Sequence, residues 1–116
     1  SAPQKLSLEE MYLAAQRMEP GTEEYDETFE IAVRMFPDDE VANLNAANTA
    51  MRRGDLKAAV RYLDKAGLSP EADYARGICA ALSDERDRAY LFFGKAADAG
   101  IDKAREAILQ LDELNN

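Results

Sequence analysis

Three asparagines, Asn43, Asn45 and Asn48, stand close together in a stretch otherwise rich in alanine. A carboxamide can donate and accept at once, so it suits holding the backbone of an extended peptide, and it also competes with a helix for backbone partners. So many mediocre helix formers in one place need a reason, either binding a partner or bridging and capping the chain's own turns. Just upstream, Asp38-Asp39-Glu40 supplies oxygen ligands by type. A calcium loop also needs oxygens at alternating positions, a glycine at the turn and a closing bidentate glutamate, and that order is missing. Helix capping accounts for the run better. With 23 Asp and Glu in the chain, carboxylate pairs are unavoidable, and the absence of Trp leaves no aromatic platform to mark one as glycoside chemistry.

What is missing excludes more. The chain has no His and a single Cys, which rules out Ser-His-Asp and Cys-His catalysis, zinc helices and Cys-His metal clusters. Cys79 between Ile78 and Ala80 reads as a core thiol and, alone, indicates no compartment. Carboxylates, tyrosines or a cofactor would have to carry any enzymatic alternative, and nothing in the pattern calls for a catalytic residue, a cofactor or a metal. A net charge of -9 repels phosphate backbones, so no nucleic acid partner is expected. The charge is uneven: residues 1–40 hold 11 acids against 3 bases, or -8, and the rest carries 12 against 11, or -1. Such an acidic end steers a basic partner, or simply solvates a helical surface.

The elements that position these residues are helices. In 116 residues, 47% hydrophobic with a mean hydropathy of -0.46, β-branched residues are sparse and no segment alternates apolar and polar like a strand. No apolar run approaches the ~18 residues of a membrane helix, so no direct membrane insertion is expected. Ser7-Leu8-Glu9-Glu10 is a capping box that opens a helix running to about Met18, before Pro20-Gly21. Thr22 caps a second helix carrying Tyr25, Phe29, Ala32 and Val33, stopped by Phe36-Pro37. A third spans about Asp39 to Arg53. Asp55 caps a fourth that reaches Ala66 before Gly67, and Ser69-Pro70-Glu71 starts a fifth to about Leu82. Ser83 or Asp84 turns the chain into a sixth through Phe93 and Ala96; after Gly100 a seventh, which Asp102 can start, turns Ala104, Ala107, Ile108 and Leu111 inward and frays at Asn115-Asn116.

An internal repeat ties these helices together: Tyr25-x3-Phe29-x2-Ala32, Ala59-x3-Leu63-x2-Ala66 and Ala89-x3-Phe93-x2-Ala96. A small residue lets one helix lie close to another, and a bulky one fills the groove between hairpins. This pattern resembles the tetratricopeptide repeat, with Pro37 and Pro70 near repeat ends, Gly54 at a turn and Gly77 where the family crosses helices closely. Departures are Asn43 and Asp73 in place of an early aromatic, Ala47 in place of a glycine, Asp84 in place of a turn glycine, and Tyr25 at a small position.

The resemblance implies one all-α domain over residues 1–116: a right-handed stack of three antiparallel hairpins, about 7–36, 39–66 and 70–99, with a capping helix at about 102–114. It implies a non-catalytic protein-protein interaction or scaffold module, binding a peptide or neighbouring domain through a concave face. The matching positions of that face are Val41, Leu44, Asn45, Asn48, Arg52, Tyr74 and Ile78. Residues 32–48 are also similar to a C-terminal helical repeat domain of Bacteroidales cell-envelope proteins. That similarity implies a domain excised from a longer chain, starting at Ser1 without Met, in the periplasm or at the cell surface, with a structural spacer as the alternative role.

Overall fold

The computed structural model describes residues 7–115, and their regular elements are all helices: α1 (Leu8–Ala15), α2 (Glu23–Met35), α3 (Glu40–Arg52), α4 (Leu56–Leu63), α5 (Pro70–Leu82), α6 (Arg86–Asp98) and α7 (Asp102–Leu114). Five of these start at a side chain that caps them. Ser7 Oγ accepts from the Glu10 N–H at 3.1 Å while Glu10 Oε1 accepts from the Ser7 N–H at 3.1 Å, so two orphan donors are satisfied reciprocally. Thr22, Asp39, Asp55 and Ser69 accept from the N–H groups of Tyr25, Ala42, Ala58 and Ala72. The α6 and α7 starts have no side-chain cap and instead follow left-handed residues, Asp84 at φ 58° and Gly100 at φ 101°.

Two boundaries differ from the sequence expectation, each for a backbone reason. The first helix stops at Ala15 rather than Met18, and the next N–H groups bond three residues back, Arg17 to Ala14 at 3.1 Å and Met18 to Ala15 at 3.0 Å. The residue before Pro20 avoids the α region, so the chain tightens before it leaves. The fourth helix ends at Leu63 in the same way, and the Arg76 guanidinium donates to the freed Leu63 and Gly67 carbonyls at 2.8 and 2.7 Å. Ser83 closes α5 and Asp84 is the left-handed link that turns the chain into α6, in line with the expectation there. Asn115 donates to the Tyr90 hydroxyl at 2.9 Å; Asn116 lies outside the described residues.

Each helix packs on the next, and α3 also packs on α5. This makes a strip of 60 × 27 × 24 Å. Its core is largely alanine, which lets helix axes approach closely. One cluster joins α3, α4 and α5 through Ala47, Ala50, Ala59, Leu63, Ala72 and Cys79; another joins α5, α6 and α7 through Ala80, Ala89, Phe93, Ala96 and Ala104. A close approach of α5 to α6 is at Gly77, where a Cβ would stand 2.4 Å from the Phe93 ring. The terminal helix α7 buries Ala104 and lays Ile108 and Leu111 on that cluster, while Lys103, Arg105 and Glu106 face water.

Candidate functional site

The three asparagines have separate roles. Asn43 is 1% exposed and donates to the Pro37 and Asp39 carbonyls at 2.9 and 2.8 Å, which clamps the turn between α2 and α3. Asn45 donates back to the Val41 carbonyl at 2.9 Å, one helical turn earlier, and stays partly exposed. Asn48 is half-buried. The acidic run beside them is structural: Asp39 Oδ2 accepts from both the Ala42 N–H at 2.8 Å and the Tyr12 hydroxyl at 2.6 Å, tying α1 to the start of α3. Burial and the Asp39 carboxylate both push the Tyr12 hydroxyl's pKa upward, since each disfavours a phenolate. Asp38 meets Lys65 at 3.4 Å across the adjoining turn.

Arg52 corrects the sequence expectation of a side chain free in the groove. It pairs with Asp26 and donates to Thr49 Oγ1 at 3.2 Å, and Thr49 donates to Asp26 Oδ1 at 3.1 Å. The antiparallel crossing of α2 on α3 brings the first turn of one to the last turn of the other. There Asp26, only 5% exposed, requires a cation that Arg52 supplies. The local signal was present: Asp26 precedes Phe29 by three and Val33 by seven, on the apolar stripe of α2.

The remaining expected groove residues fall into two places. Val41 and Asn45 line a groove of about 440 Å³ between α1, α2 and α3, with Tyr12, Gln16, Tyr25 and Phe29. Tyr74 and Ile78 line another of about 350 Å³ between α5 and α7, with Leu82, Lys103, Leu111 and Leu114. Leu44 packs on the core of α3, α4 and α5, and Asn48 lines neither groove. Tyr12, Gln16 and Tyr25 were missed as groove residues. The signal for Tyr25 was its ring at a position of the sequence pattern where Ala59 and Ala89 stand in the other two segments.

A third recess, on the α4 and α6 side, is about 130 Å³ and is walled by Arg76, Cys79, Ser83, Glu85, Arg88 and Phe92. Its charged groups are largely engaged: Arg76 with the Leu63 and Gly67 carbonyls, and Arg88 with Glu85 at 2.9 Å and with the Phe92 ring at 5.8 Å. Burial raises the Cys79 thiol's pKa, which disfavours the nucleophilic thiolate. No described helix is long and apolar enough to cross a membrane. Compared with known proteins, the chain matches no family model, no curated protein and no solved structure.

Proposed function

We propose that this chain is a non-catalytic protein-interaction module that binds a peptide or neighbouring segment in the open grooves beside its odd-numbered helices. One observation carries the reading: apolar side chains that the fold leaves uncovered stand in or at those grooves, with Val41 50%, Leu82 56% and Leu114 75% exposed. Apolar clefts with a few polar groups are where folds of this kind receive ligands. The tetratricopeptide resemblance agrees with this as analogy, since a fold does not by itself specify a partner.

Selection from a random peptide library displayed on phage tests it. Selected peptides should bind the purified chain and lose about tenfold or more in affinity, about 1.4 kcal/mol, with Val41→Lys or Leu114→Lys. Both positions are exposed, so the unfolding midpoint should stay in place. No selected binder, or binders indifferent to both substitutions, would overturn the reading. A structural spacer in a longer cell-envelope protein is the second reading, favoured by a length of 60 Å against a width of 27 Å.

A further inference from the structure

The two grooves differ in chemistry. Lys103 and Glu106 stand in the one beside α7, whereas no side chain lining the groove between α1, α2 and α3 is charged at neutral pH. The latter has an aromatic floor, with the Phe29 ring 6.1 Å from Tyr12 and 4.8 Å from Tyr25. Two amides join it. Asn45 uses one N–H on the Val41 carbonyl and keeps the other, and the exposed Gln16 side chain has no partner among the described residues. The frame of this neutral surface is acidic on balance: Glu19 lies between lining residues Met18 and Pro20, Glu24 adjoins Tyr25 and Glu40 adjoins Val41, against one base, Arg17, between Gln16 and Met18. Glu19 and Glu24 are exposed, and neither is in an ion pair among the described residues.

We propose that the groove between α1, α2 and α3 docks a proline-rich segment flanked by Lys or Arg, an inference that rests on the peptide-binding reading above. Each part of the groove selects a part of that ligand. Proline rings are flat, apolar and suited to stacking on tyrosine and phenylalanine faces. A proline has no N–H, so a run of them presents only carbonyl acceptors, which the remaining N–H groups of Gln16 and Asn45 can meet. An ordinary extended peptide would bring an N–H at every residue, more than the two amide oxygens, Gln16 Oε1 and Asn45 Oδ1, can receive on a surface with no open strand edge. A polyproline helix is also ordered before it binds, so docking costs little conformational entropy. Cationic flanks complement an end of the chain carrying -8.

The test is an NMR titration of the whole ¹⁵N-labelled chain with the synthetic peptide Lys-Lys-Pro-Pro-Pro-Pro-Lys-Lys. Shifts should concentrate on the Gln16 and Asn45 side-chain amides and the Tyr12 and Tyr25 backbone. Tyr25→Ala should weaken binding about tenfold, as expected for loss of a stacking ring. Gln16→Lys, at an exposed position, should weaken it severalfold with an unchanged spectrum elsewhere. Raising salt from about 50 to about 500 mM should also weaken it, because rim charges become screened. Equal affinity for a peptide with Gly-Ser in place of the prolines, or with Glu in place of the lysines, would overturn the proposal. So would absent shifts, or shifts confined to Tyr74 and Leu111. If phage-selected peptides of another composition bind while this one does not, only this inference falls and the broader function stands.

Discussion

Phe29 and Phe93 occupy equivalent positions of the repeat and are both buried, at 4% and 2% exposure, yet their surroundings are opposite. Phe93 sits against the bare backbone of Gly77, flanked by Tyr74 at 5.8 Å and by the alanines Ala89 and Ala96. Phe29 is surrounded by rings, Tyr12 from α1 and Tyr25 from its own helix. The first helices differ as well, 13 residues in α5 against 8 in α1. Both rings line a groove, Phe93 the one between α5 and α7 and Phe29 the one between α1, α2 and α3. A glycine backbone walls in the first ring, whereas Tyr25, where Ala59 and Ala89 stand in the matching segments, adds a second ring beside the other.

Truncating both rings puts this contrast under the greatest load. Phe93→Ala should destabilise the chain by about 3–5 kcal/mol, since Gly77 opposite it has no side chain to move into the cavity. Phe29→Ala should cost less, because the Tyr12 and Tyr25 rings beside it can relax into the space. Urea unfolding of the two variants reads the difference, and equal costs would mean the two seams are packed alike.

Next comes the glycine itself. Gly77→Ala gains roughly 1 kcal/mol of helix propensity, but its methyl would stand 2.4 Å from the Phe93 ring, an overlap that must displace the ring or the helix. Overpacking of this kind costs about 1–3 kcal/mol, so a net loss is expected. A rise in the thermal midpoint would show that the approach of α5 to α6 is looser than Phe93 indicates.

A smaller effect is expected at the turns. Gly54, Asp84 and Gly100 are all left-handed, and the residue after each donates to a carbonyl five back, Asp55 to Ala50 at 2.9 Å, Glu85 to Ala80 at 2.8 Å and Ile101 to Ala96 at 3.0 Å. Asp84 holds at a steric penalty the conformation that glycine adopts freely. Asp84→Gly should therefore stabilise by up to about 1 kcal/mol, reduced by the extra freedom glycine has when unfolded. Calorimetry showing a lower midpoint would contradict that.

The smallest effect concerns the short α1 of the open hairpin. Hydrogen bonds from the Ser7 backbone N–H and hydroxyl hold the Glu10 carboxyl below its usual 4.5. A group whose value is depressed on folding contributes stability above its unfolded value and loses it as pH falls through the folded one. Wild type and Glu10→Gln should thus converge in thermal midpoint as pH drops below about 4, having differed slightly at neutral pH. A gap that persists in acid would remove the charge from the explanation.

Much of the fold was legible because its signals are local. Ser7, Thr22, Asp55 and Ser69 cap the helices they were expected to start, and Gly77 marks a close crossing. The boundaries at Ala15 and Leu63 were not, because the last turn tightens according to what the following loop does with its carbonyls. The candidate site was legible only in pieces. Of the seven residues assigned to one concave face, six divide among a salt bridge, a core and two grooves and Asn48 joins none of them, since helical spacing gives a residue's angle on its own helix and not the separation of that helix from its neighbours.

The order of residues was enough to make the chain all-α, to set where its helices begin and to alternate small and large side chains, since capping, left-handed turns and periodicity act within a few residues. The assembled helices were needed to give Arg52 to Asp26 rather than to a ligand, and to set Tyr25 in the wall of a groove where Ala59 and Ala89 are fully buried. Those outcomes depend on which groups meet across distant parts of the chain, as in Thr49 on Asp26 at a separation of 23. The pairing of a buried charge or the packing of a ring is fixed by the partner it meets, and that partner is chosen only when the helices cross.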